Sequence, residues 1–170
     1  VKVVDDPAAT YAVSHDPADV YLELAPAVLG YLRGRGVDDP ENLLGEVFLQ
    51  VVRDIPRFRG DDRALRRWVF SIAHNRLVDH HRRGLRRPVA NREPPDQPGG
   101  LDPAARAAAL DTELLDALLT LTPAQRDVVV LRFIADLPTG DVARITRRRP
   151  GAVRALQLRG LCRLRELLTP

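Results

Sequence analysis

The stretch RFRGDDRALRRWVFSIAHNRLVDHHRR, residues 57–83, decides the reading of the whole chain. Leu65, Trp68, Val69, Ile72, Ala73 and Leu77 recur at three- and four-residue steps, the period of one helix face. Arg66, Arg67, Arg76, Arg82 and Arg83 crowd the rest of the helix, and Arg86 and Arg87 follow. A helix with one buried stripe and fixed positive charge elsewhere is built to meet a polyanion. RGDD ahead of it reads as a turn, and Gly84 and Pro88 are expected to end it. Trp68 suits either core packing or, beside so much charge, stacking on an unpaired base. Asn75 is either a solvated or capping amide or a reader of nucleic acid.

Helices extend in both directions from this stretch. In DDPENLLGEVFLQVVRDIPRF, residues 38–58, Asp39 is a good N-cap, Pro40 fits the first helical position and Glu41 favours the positive helix end. Leu43, Val47 and Val51 form one stripe, with Leu44, Phe48 and Val52 beside it. Glu46, Gln50, Arg53 and Asp54 lie on the far side, and Pro56 stops the helix. Gly45 costs this helix about 1 kcal/mol against Ala. An earlier helix starts at Asp16 or Asp19 and ends at Gly34 or Gly36; Pro26 either kinks or divides it. Residues 88–103 hold five Pro and two Gly without apolar period, the composition of a linker. Ala-rich residues 103–110 can begin a helix. Helical pattern resumes at Asp111, and Thr122 caps a helix that starts at Pro123. Thr139 is expected to cap a short helix through Ile145. TRRRPG then turns into a last helix from Gly151 to Leu168. Short helix, tight turn and longer helix make the helix-turn-helix pattern.

The expected fold is all-α, with no strand pattern. It comprises a flexible N-terminus at 1–14, a first helical domain at 15–87, a linker at 88–111 and a second domain at 112–170. Charge divides along the same lines. Net charge is −6 over residues 1–52, +7 over 53–87, −4 over 88–119 and +6 over 120–170. Two basic blocks can grip a polyanion twice, and the acidic blocks leave surface for a basic protein partner.

In a helix-turn-helix the first half of the second helix reads bases in the major groove. Val153, Leu161, Leu164 and Leu168 are expected to face inward, with Gln157 near the boundary. Arg154 and Leu158 share the outward stripe with Ala155. Arg154 offers guanine two donors, and Leu158 offers a thymine methyl an apolar contact. Arg147, Arg148, Arg149 and Arg159 are placed for phosphates, which position the module without reading sequence.

Several function classes are disfavoured. The one cysteine, Cys162, allows no intramolecular disulfide. No apolar run approaches a membrane span, and no signal-peptide pattern opens the chain, so a cytoplasmic location is expected. There is no phosphate-binding or dinucleotide glycine motif and no nucleophile–base set, so no catalysis, cofactor or resident metal is expected. The one metal-enzyme rival rests on His74, His80 and His81, without cysteine partners.

The segment ENLLGEVFLQVVRDIPRFRGDDRALRRWVFSIAHNRLVDHHRR resembles region 2 of the extracytoplasmic-function sigma factors. LTPAQRDVVVLRFIADLPTGDVARI followed by GAVRALQLRGLCRLREL resembles region 4 of the same family. The resemblance implies an initiation factor that binds core RNA polymerase and promoter DNA. Its first domain would bind the β′ clamp helices through Glu46, Gln50, Arg53 and Asp54. It would melt the −10 element with Asn75, Arg76, His80, Arg82 and Arg83, with Asn75 where the family's loop captures an extruded base. Its second domain would bind the β flap and read the −35 element. The linker would thread towards the RNA channel, and an anti-sigma factor would hold the protein inactive. One departure bears on geometry. The family's turn usually reads Leu-Gly-x-Ser; here it is Thr146, Arg147, Arg148, Arg149 before Pro150. With the glycine missing, Arg147 is expected at a strained positive φ. Against this stands a DNA-binding regulator that acts without polymerase.

Overall fold

The computed structural model describes residues 15–86 and 112–168. The expected N-terminal tail at 1–14, the linker at 88–111, the Ala-rich segment at 103–110 and Arg87 lie outside them. The described residues form seven α-helices: α1 (Pro17–Gly34), α2 (Pro40–Asp54), α3 (Asp62–Arg86), α4 (Thr112–Thr120), α5 (Pro123–Phe133), α6 (Thr139–Ile145) and α7 (Pro150–Leu168). A 3-10 turn, Ile55–Arg57, follows α2. The all-α expectation therefore holds among the described residues.

Helix starts follow the capping chemistry. Asp16 accepts from the Ala18 amide at 2.7 Å and Asp39 from the Asn42 amide at 3.1 Å. Thr122 and Gln125 form a reciprocal capping box at the head of α5. Thr139 does not cap α6: it is the first helical residue, and Pro138, which has no side-chain donor or acceptor, stands at the cap position. Pro26 does not divide α1, which runs through it. Gly84 does not end α3, which continues to Arg86; a helical glycine weakens propensity without breaking the hydrogen-bond ladder.

Two helix groups result. In the first, α2 packs between α1 and α3; in the second, α7 packs against α4, α5 and α6. Leu24, Val28, Leu32, Leu43, Val47, Val51, Val69, Phe70 and Leu77 are buried in the first, and Val128, Val130, Leu131, Val142 and Val153 in the second. Three expected core positions fail. Val52 is half exposed, and Leu161 and Leu168 lie at the surface of α7. The inward face of α7 is instead Val153, Leu156, Gly160 and Leu164, spaced by three and four residues. Gly160 is required there, because a Cβ would stand 2.8 Å from Val129 Cγ2.

The groups also touch one another, and their buried side chains form one continuous apolar cluster. α1 meets α4 and α5, and α3 meets α6. Gly36, at φ 70° beyond the end of α1, has Leu119 so near that a Cβ would stand 2.7 Å from its Cδ2.

The turn between α6 and α7 carries the expected strain, with Arg147 at φ 54°. The Arg148 amide donates to the Ala143 carbonyl at 2.9 Å, so the chain closes the helix end as if a glycine were present. Replacement Arg147→Gly should raise stability by about 1 kcal/mol, because the left-handed conformation costs an L-residue about that much. Urea unfolding of the two proteins checks this, and equal or lower stability in Arg147→Gly would contradict it.

Candidate nucleic-acid interface

The first basic face is built at the head of α3. Phe58 and Trp68 stack with ring centroids 5.0 Å apart and planes inclined by 29°. The loop before α3 holds Phe58 tightly. Arg59 curls back to donate to the Pro56 and Phe58 carbonyls at 2.9 and 2.7 Å, and Asp61 accepts from the Ala64 amide at 2.8 Å. Gly60 has no room for a side chain, since a Cβ would meet Ala64 at 2.8 Å and Phe58 at 2.9 Å. Beside the stacked pair lies a cavity of about 290 Å³, lined by Phe58, Arg59, Ala64, Arg67, Trp68 and Ser71. Arg144 and Ile145 of α6 also line it. An aromatic platform with three guanidiniums and a hydroxyl suits an unpaired base and its phosphate. Trp68 is partly buried against the core and also lines the cavity.

Asn75 lies elsewhere. It sits in mid-α3, exposed, and not in a loop as the resemblance had suggested. Arg76 turns toward α2, where its Nε donates to Gln50 Oε1 at 2.9 Å and its Nη1 lies 3.7 Å from Glu46. Arg83 reaches the same Glu46 carboxylate at 3.7 Å. Residues expected on polymerase and residues expected on DNA therefore meet on one α2–α3 face. Arg53 is exposed and Asp54 half-buried on α2; His80 is half-buried and Arg82 exposed near the end of α3. Four large apolar side chains are exposed on the α1–α2 side, Tyr21, Leu22, Leu49 and Val52. Of these the sequence singled out only Val52, and placed it beside the buried stripe of α2.

The histidines do not converge. His74 is inward, with its Nδ1 3.0 Å from the Tyr31 hydroxyl and 4.0 Å from Asp127. His80 and His81 stand together, ring centroids 6.2 Å apart. Among the described residues no group of three metal-ligating side chains is assembled, nor is any helix long and apolar enough to cross a membrane. Burial holds the Tyr31 hydroxyl well above its ordinary range, with the Asp127 charge adding to the effect, so it remains protonated in its hydrogen bond with His74. Burial pushes His74 below its ordinary value; Asp127 opposes this, and Arg35 and Arg147 reinforce it.

The second basic face is open. Arg147, Arg148 and Arg149 are exposed in the turn, and Arg154, Ala155, Leu158 and Arg159 are exposed on the first half of α7. Leu158 is 65% exposed on this face. Gln157 turns inward and accepts from Arg132 Nε at 3.2 Å, and Arg132 also bonds the Leu137 carbonyl. Sequence reading missed the two acidic residues that matter most. Asp141, 1% exposed, accepts from Arg63, Arg67 and Arg144 at 3.4, 3.3 and 3.0 Å. Asp127 lies 2.8 Å from Arg35 Nε, an ion contact whose N–H is not aimed at the oxygen. Either residue alone in a helix reads as surface charge, and only tertiary contact reveals otherwise.

Comparison with known proteins agrees with this geometry. Residues 20–87 match the family model of sigma-70 region 2, and residues 111–164 that of sigma-70 region 4. The chain is 32% identical over 163 residues to the ECF RNA polymerase sigma factor ShbA of Streptomyces griseus, covering 88% of this chain and 85% of that one. It is 33% identical over 154 residues to the RNA polymerase sigma factor CarQ of Myxococcus xanthus, covering 88% and 87%. Its fold resembles that of the sigma factor RpoE solved with the anti-sigma factor NepR from Bartonella quintana, with TM-score 0.69, 23% identity and 89% and 95% of the two chains covered. It also resembles CnrH solved with the cytosolic domain of CnrY, with TM-score 0.65, 22% identity and 89% and 86% covered. The chain belongs to the extracytoplasmic-function (ECF) RNA polymerase sigma factors.

The half-buried His74 gives the fold a pH dependence of definite sign. A histidine whose folded pKa is depressed binds protons more readily when unfolded. Its contribution is complete above about pH 6.5 and is lost as pH falls toward the folded value. Urea midpoints should therefore drop between pH 7.5 and 5.5, and His74→Gln should flatten that slope. An unchanged slope in His74→Gln would contradict the assignment.

Proposed function

We propose that this ECF sigma factor binds core RNA polymerase and directs promoter-specific initiation, its two helix groups acting as separate domains at about 15–87 and 112–170. The observation that carries the reading is the presence of two unlike nucleic-acid faces on the two groups of one chain. The α3 face has stacked aromatics and a cavity, the form suited to a melted strand. The α7 face is a convex row of Arg154, Leu158 and Arg159, the form suited to a duplex major groove. The first reads and melts the −10 element, and the second reads the −35 element. Base capture is assigned to the Phe58–Trp68 cavity and not to Asn75, which lies along the helix beyond it. Flipping a base costs a few kcal/mol, which stacking and edge hydrogen bonds must return.

The α2 surface serves the polymerase clamp. Glu46, Gln50, Arg53 and Asp54 supply polar contacts, and exposed Leu49 and Val52 supply the apolar centre such an interface needs. The same patch, with Tyr21 and Leu22, is what an anti-sigma factor would cover; both solved relatives named above carry such a partner. Reaction chemistry belongs to the polymerase, so the chain itself is no enzyme.

Transcription by core polymerase on pooled promoter DNA, with and without this chain, tests the reading. New transcripts sharing an upstream sequence are expected, and absence of both transcripts and core binding would contradict it. Trp68→Ala should reduce transcription about 5- to 150-fold, the equivalent of roughly 1–3 kcal/mol of lost base stacking. Arg154→Ala should keep core binding but lose about 1–3 kcal/mol of discrimination at one upstream base pair.

A further inference from the structure

The contact between the two helix groups is too well fitted to be incidental. One edge of α1 is stripped of side chains where the second group lies on it. A Cβ on Gly30 would stand 3.1 Å from Ile134 Cγ2, and one on Gly34 would stand 3.3 Å from Val130. Ile134 and Val130 are themselves four residues apart, so knobs one helical turn apart on the α5 side enter a groove of the same period on α1. Leu119 fills the space over Gly36 in the same way. Charge brackets this apolar seam. Asp127 meets Arg35 at one end. At the other, Asp141 holds Arg63 and Arg67 of α3, and Arg66 Nε donates to the Ala135 carbonyl at 2.8 Å.

We propose that α1 and the head of α3 form a docking site for the chain's own second helix group, and that the docked form is self-inhibited. Asp141 sits where a strand phosphate would, on Arg63 and Arg67, while Arg144 and Ile145 occupy part of the lining of the Phe58–Trp68 cavity. The inhibitory half rests on the reading of that cavity as the base-capture site. Geometry requires the docked form to open in use. Elements at −10 and −35 are centred about 85 Å apart on duplex DNA at 3.4 Å per base pair, whereas a compact body of this size is only about 35 Å across. Docked and promoter-bound forms are therefore exclusive, and DNA and the second group compete for the same arginines.

Two variants separate docking from folding. Gly30→Leu overfills the seam while strengthening α1, since leucine is the better helix former. Asp141→Asn removes the charge that binds Arg63 and Arg67. The natural Cys162, exposed on α7, and an introduced Asn42→Cys on α2 take a dye pair for distance measurement in the full chain. The free parent protein should show one short distance. Both variants should lengthen it and bind a mixed-sequence 20-nucleotide single strand about tenfold more tightly than the parent. An unchanged distance in both variants overturns the docking. A longer distance without tighter strand binding overturns the self-inhibition, provided polymerase carrying the same variants still holds the melted strand. If that holoenzyme, and the parent holoenzyme with it, makes no strand contact through Trp68, the base-capture reading fails and the inhibitory half falls with it.

Discussion

A carboxylate with 1% of its surface exposed cannot stand without partners, and the arrangement of this chain turns on that constraint at Asp141. Its partners come from both helix groups, Arg144 from its own helix and Arg63 and Arg67 from α3. Leaving the carboxylate buried without them would be costly, so the pair of groups is held in a definite register. The apolar seam of Gly30, Gly34 and Gly36 against Ile134, Val130 and Leu119 adds shape, and the ion pairs add orientation. The arginines of these pairs can meet a phosphate as readily as a carboxylate.

The same arrangement explains why arginine dominates the basic faces. A guanidinium can meet a carboxylate in one state and a phosphate in another with the same fork of donors. Arg63 and Arg67 are paired with a carboxylate, whereas Arg147, Arg148 and Arg149 of the α6–α7 turn and Arg154 and Arg159 of α7 lie exposed. Arg76 and Arg83 show a third use, paired with Glu46 on the α2 side.

The helices were legible from sequence because capping chemistry and apolar period are local. Asp39 before Pro40, Thr122 before Pro123 and the stripe through Leu43, Val47 and Val51 each predict structure from a few neighbouring residues. The strained turn at Arg147 was expected from the family resemblance, which places a glycine in that turn. Burial on α7 was not. Leu161 and Leu168 have the right residue type, but α7 turns the face carrying Gly160 inward, and a glycine contributes nothing to an apolar period. The site was half legible. The open row on α7 followed from helix geometry, while the cavity at Phe58 and Trp68 needed a loop and a helix brought together. The roles of Asp127 and Asp141 depend on contacts spanning tens of residues, for which single-residue patterns carry no signal.

The most direct measurement follows the distance between Asn42→Cys and Cys162 in the free protein as single-stranded DNA is added. Two ligands that exclude one another must shift a common equilibrium by reciprocal amounts. The strand should therefore lengthen the distance as it saturates, with a midpoint equal to its binding midpoint. Saturation of the strand with the distance still short would contradict the account.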